Sequence, residues 1–107
     1  MHAWLCSILL VSLLTGAGAA AQESGDRTKG LAVARDVCAR CHAVEADEGS
    51  SVSGAPTFRT IANAPDMSEI ALSVLLRTPH KTMPNLTFEP DELRDVVAYI
   101  MSLRDRP

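Results

Sequence analysis

Outside an apolar run near the N-terminus, this chain has only Phe58, Phe88 and Tyr99 as aromatic side chains with which to build an interior. The single tryptophan, Trp4, sits at the edge of that run. Residues 5–14 (LCSILLVSLL) fall well short of the roughly 20 apolar residues that cross a bilayer. Small residues follow from Gly16, with an A-x-A pattern ending at Ala21. This is the pattern of a secretory signal peptide over residues 1–21, cleaved after Ala21. Met1 and His2 bring no Lys or Arg, so its positive end rests on the terminal amine. Residues 22–107 then form one domain and no more. Domains of this size bury only about 60% of the surface that the unfolded chain exposes, and they usually recruit a disulfide, metal or cofactor. Something other than aromatic packing must fill the centre.

The remaining pattern is helical. Gln22 to Lys29 is polar and reads as a flexible leader, with the folded domain spanning residues 30–107. Leu31, Ala34, Val37 and Cys38 recur at three-and-four spacing, which predicts an amphipathic helix from about 29 to 40. Ala43 to Ala55 is rich in Glu, Asp, Gly and Ser and reads as a loop. Asp66, with Glu69 three residues on, predicts a capping box, followed by a stripe of Ile70, Ala71, Val74 and Leu75 facing the core. That helix ends before Pro79. Thr78 to Phe88 lacks periodicity. Pro90 suits the first turn of a last helix, in which Leu93, Val96, Val97, Ile100 and Leu103 share a face. No segment alternates with period two, so the fold class is all-α: three or more short helices, with long loops wrapped around a central object. The formal net charge of −3 comes from interspersed acids and bases, which points away from nucleic acid and anionic membrane surfaces as partners.

The chemistry is concentrated in Cys38-Ala39-Arg40-Cys41-His42, the C-x-x-C-H pattern of haem attachment. Residues three apart share a helix face, so both thiols reach the two vinyl groups of one porphyrin, and His42 comes beneath the ring. Three other readings compete. A thioredoxin-like redox pair needs strands; structural zinc needs four ligands, for which only Cys38, Cys41, His42 and His80 are at hand; a disulfide across so short a loop adds little stability. Haem also explains the thin core. For a second axial ligand the candidates are Met67, His80, Met83 and Met101. Met67 and Met101 read as packing or surface residues, whereas Met83 lies in the loop Thr82-Met83-Pro84, where no helical packing accounts for it and proline stiffens the backbone. His80, three residues before it, is a second candidate and otherwise an exposed loop histidine.

With C-A-R-C-H followed by Met83-Pro84, the sequence resembles the bacterial class I c-type cytochromes over about residues 30–104. The resemblance implies a small cytochrome c fold around one haem c, covalently attached through Cys38 and Cys41, with His42 and Met83 as iron ligands. It also implies that Gly30 lets the first and last helices touch, that Tyr99 packs at their crossing, and that the Pro56 carbonyl holds the His42 imidazole. The sequence departs from the family at Ala34, where an aromatic is usual, and in having no tryptophan for a haem propionate; Arg59, Arg77 or Lys81 are candidates for that contact.

The expected function is one-electron transfer rather than catalysis, because a His/Met pair leaves no open position on iron. Arg40 and Lys81 are candidates for orienting a redox partner. That partner is expected to be a membrane cytochrome complex, an oxidase or a periplasmic dehydrogenase, met by a periplasmic monomer with no stable membrane insertion after signal cleavage. Two alternatives stay open: a haem-bearing subunit of a larger oxidoreductase, and a gas-binding or gas-sensing haem protein with a displaceable Met83.

Overall fold

The structure is a computed structural model and describes residues 24–45 and 49–107. The expected signal peptide, residues 1–21, lies outside the described residues. Among those described there are α-helices and no strands: α1 (Arg27–Val33), which continues into a π-helical turn (Ala34–Cys38), α2 (Phe58–Ala62), α3 (Glu69–Arg77) and α4 (Pro90–Ser102).

α1 starts at Arg27, two residues before the expected position, because Asp26 caps it: the Asp26 carboxylate accepts from the Thr28 and Lys29 N–H groups. Part of the stretch expected to be a flexible leader is therefore ordered. The Asp26 N–H donates in turn to Asp95 of α4 at 2.7 Å. Glycine is required at this seam. A Cβ on Gly30 would lie 1.9 Å from the Asp95 carbonyl oxygen, and one on Gly25 would lie 2.0 Å from that of Arg94. The two backbones thus meet without intervening side chains, and Tyr99 closes the crossing, as the resemblance implied for Gly30 and Tyr99.

α4 is the hub of the fold, with α1, α2 and α3 all packed on it. Pro90 opens it, and the Glu92 carboxylate accepts from the Glu89 N–H at 3.1 Å. Its buried side chains are Leu93, Val96, Val97, Tyr99 and Ile100, and they meet Ala34, Phe58, Ala62 and Leu72 from the other elements.

α3 departs from expectation in two ways. Asp66 sits in the left-handed region (φ 59°) rather than at the cap; Ser68 caps the helix, its hydroxyl accepting from the Ala71 N–H at 3.0 Å. Glu69 is then the first helical residue and cannot close a capping box. The buried stripe is also rotated. Leu72 is buried and Leu76 packs against the core, while Ile70 and Val74 are 79% and 58% exposed. Apolar residues surround most of this helix, so periodicity could not select the buried face. Packing against α4 did.

Candidate functional site

The cysteine segment is built on the π-helical turn. The Ala39 N–H donates to the Ala34 carbonyl at 2.9 Å, a five-residue span, and the chain then closes on Cys38, whose carbonyl accepts from Cys41 (3.1 Å) and His42 (2.9 Å). Cys38 is buried, Cys41 is half-buried, and both are free thiols. Burial pushes the Cys38 thiol up to about 11.

His42 is oriented by the loop that follows. Its Nδ1 lies 2.6 Å from the Pro56 carbonyl oxygen. A carbonyl only accepts, so Nδ1 carries the proton and Nε2 keeps a lone pair for a metal. The Phe58 ring stands 5.7 Å from the imidazole at 47°, and Tyr99 lies 6.4 Å beyond Phe58. The loop is tied back to the cysteine segment at successive positions. Ser51 Oγ donates to the Arg40 carbonyl (2.8 Å), Val52 N–H to that of Cys41 (3.2 Å), and Ala43 N–H to Ser50 Oγ (2.9 Å). Phe58 N–H donates to the Ala43 carbonyl (2.9 Å), and the buried Tyr99 hydroxyl reaches the Val44 carbonyl at 2.5 Å. Sequence reasoning missed the parts played by Ser50, Ser51 and the Tyr99 hydroxyl. Polar residues in a loop carry no signal of which backbone group they will meet.

The structure thus brings Cys38, Cys41, His42 and Pro56 together. Met83 stands on a separate segment between α3 and α4, half-buried, and shares no hydrogen bond with the cysteine segment among the described residues. It faces His80 across a tight turn, the Met83 N–H donating to the His80 carbonyl at 3.3 Å. The two residues line one hollow with Leu76, Pro79, Pro84 and Leu86. Of the two roles left open for Met67 and Met101, packing or surface, both take packing: they lie partly buried against the core. Arg59 is engaged by Asp105 at 2.7 Å, whereas Arg40, Arg77 and Lys81 have no ion-pair partner among the described residues.

These features fit a covalently held haem. Two free thiols stand one turn apart, an imidazole has its proton committed elsewhere, and a half-buried thioether waits on a proline-flanked loop. The zinc reading fares worse, since no group of three or more His, Cys, Asp or Glu capable of holding a metal occurs among the described residues. No described helix is long and apolar enough to cross a membrane.

The sequence matches the family model described as cytochrome c over residues 27–104. It is 34% identical over 104 residues to cytochrome c-552 of Bradyrhizobium diazoefficiens, covering 97% of this chain and 99% of that protein. No solved structure matches it.

Proposed function

This chain belongs to the cytochrome c family and carries a covalent haem c that serves electron transfer, and we propose that it works as an exported one-haem carrier in the periplasm. In this reading residues 1–21 direct export, Cys38 and Cys41 anchor the haem, and His42 and Met83 ligate the iron. The observation that carries it is the hydrogen bond from His42 Nδ1 to the Pro56 carbonyl at 2.6 Å. That bond fixes the tautomer and presents Nε2 as the ligating atom, and a proton held toward a carbonyl makes the imidazole a stronger donor.

Haem c supplies a one-electron couple between ferric and ferrous iron. The chain's own residues set how that couple behaves. Cys38 and Cys41 hold the ring by thioethers, so it stays in place through repeated cycles. The Met83 sulfur, a soft donor, would favour the ferrous state of that iron and raise its reduction potential. With His42 and Met83 both given to the iron, the chain would leave no position there for a substrate, which is the reason for reading a carrier rather than an enzyme. Arg40, Arg77 and Lys81 are exposed cations free of ion pairs among the described residues, available for weak contacts with a redox partner that must leave quickly. The partners that suit an exported carrier are a membrane cytochrome complex, an oxidase or a periplasmic dehydrogenase.

The test is the absorption spectrum of protein matured in a periplasm, recorded oxidised, reduced, and reduced under carbon monoxide. The expected result is a low-spin spectrum with sharp reduced bands, unchanged by carbon monoxide, whose sulfur–iron band vanishes in Met83→Ala. A high-spin wild-type spectrum, or one altered by carbon monoxide, rejects the His42/Met83 carrier.

A further inference from the structure

We propose that His80 is a reserve axial ligand: when the Met83 thioether leaves the iron, the His80 imidazole takes the same position and keeps it closed. The proposal rests on Met83 being the resting ligand.

The turn places the two residues for an exchange. His80 and Met83 pair in an isolated antiparallel bridge, with Lys81 and Thr82 between them. Directly opposed residues of such a pair carry their side chains on one face, with Cβ atoms about 5 Å apart. Both residues line the hollow formed with Leu76, Pro79, Pro84 and Leu86. A side chain that replaces Met83 from this position needs a pivot of one turn and no rearrangement of the helices.

Little holds the turn against that pivot. From Pro79 to Phe88 the described backbone makes a single hydrogen bond, the 3.3 Å contact between Met83 and His80 themselves. Pro79 and Pro84 have no N–H to contribute. A segment with so few internal bonds opens at low cost compared with α4. The His80 imidazole is exposed and has no hydrogen bond or ion pair among the described residues, so nothing must be broken to recruit it. His42 differs in this respect, since its Nδ1 is committed to Pro56.

In the exchange, the bond from the Met83 sulfur to iron breaks and one from a His80 ring nitrogen forms. The neutral imidazole gives a lone pair, no proton is released, and the iron keeps its oxidation state. Imidazole favours ferric iron more than a thioether does, so the exchanged form accepts an electron less readily. Its consequence is protective: a carrier that loses Met83 does not become an open haem.

The experiment compares full-length protein carrying covalent haem as wild type, Met83→Ala, and Met83→Ala/His80→Ala, by ferric absorption and electron paramagnetic resonance and by carbon monoxide titration of the ferrous forms. The expected result is that Met83→Ala loses the sulfur–iron band yet stays low-spin, whereas the double variant is high-spin. If His80 occupies the iron in nine molecules of ten, the double variant binds carbon monoxide about tenfold more tightly than Met83→Ala. Added imidazole should return the double variant to low spin, which shows that its pocket is intact. A high-spin Met83→Ala indistinguishable from the double variant overturns the role of His80 while leaving Met83 as the ligand. A double variant that stays low-spin without imidazole also overturns it, with Lys81 the next donor in the turn. A wild-type spectrum unaffected by Met83→Ala overturns the assignment of Met83 itself.

Discussion

Gly30 and Cys38 are set by opposite constraints on space. At Gly30 the chain has no room for a Cβ, which would lie 1.9 Å from the Asp95 carbonyl oxygen and 2.9 Å from the Tyr99 Cβ. The obstacle is backbone, which cannot rotate away. Gly30→Ala should therefore cost at least about 2 kcal/mol, as overpacking does, and lower the urea midpoint accordingly. Cys38 is buried but has a task that requires its sulfur to react. Burial holds its pKa near 11 against an ordinary 9.0, so before attachment it is a thiol at neutral pH and a poor nucleophile. In haem-free chain, alkylation of Cys38 should accelerate about tenfold per pH unit until the pH approaches 11. The linkage has a definite sign. Above pH 9 the unfolded thiol ionises while the folded one stays protonated, so the unfolded state binds fewer protons and stability falls as the pH rises from about 9 to about 11. A urea midpoint that is flat over that window contradicts the burial of Cys38.

At the scale of elements, the loop between the cysteine segment and α2 is the part most clearly organised for a purpose. Ser50, Ser51 and Val52 bond to residues 40–43, Pro56 bonds to His42, and α4 reaches over through Tyr99 to Val44. The Tyr99 hydroxyl is buried, and removing it deprives the Val44 carbonyl of that donor. Tyr99→Phe should destabilise the protein by about 1–3 kcal/mol. It should also shift the reduction potential, because the loop that carries Pro56 is then less firmly held. Unchanged potential with lowered stability would confine Tyr99 to packing. Helix existence was legible from apolar spacing alone at α1 and from Pro90, the acidic first turn and apolar spacing together at α4, whereas the five-residue α2 is too short to show a periodicity and was not predicted. α3 was legible as a helix but not in its orientation: Ile70, Ala71, Leu72, Val74, Leu75 and Leu76 offer several equivalent stripes. Its start moved from Asp66 to Ser68 because Asp66 tolerates a left-handed turn that most residues avoid.

For the molecule as a whole, the small aromatic inventory has a thermodynamic consequence. The core gathers around α4 from Ala34, Phe58, Ala62 and Leu72, and Ile100 and Val96 are the largest side chains that are fully enclosed. On the polypeptide itself, Val37, Val74 and Leu75 remain 41%, 58% and 39% exposed. A bound group that interacts with the folded chain and not with the unfolded one adds its binding energy to stability. Protein expressed without haem attachment should therefore melt more than about 10 °C below the mature form, a loss of a few kcal/mol for a domain of this length. Calorimetry or circular dichroism on both preparations measures the difference, and equal melting temperatures would show a core that needs no haem.

The sequence by itself determined the class of the fold and the identity of the reactive groups. Both depend on local order: three-and-four spacing makes a helix face, and C-x-x-C-H places two thiols and an imidazole within one turn whatever surrounds them. Tertiary structure decided what depends on groups distant in the chain. It ordered residues 24–29 by bonding Asp26 to Asp95, chose Leu72 over Ile70 as the buried residue of α3, and gave Ser50, Ser51 and the Tyr99 hydroxyl their backbone partners. Hydrogen bonds between residues up to 69 positions apart in sequence leave no trace in local spacing, because each partner satisfies the same rules of composition with or without the other.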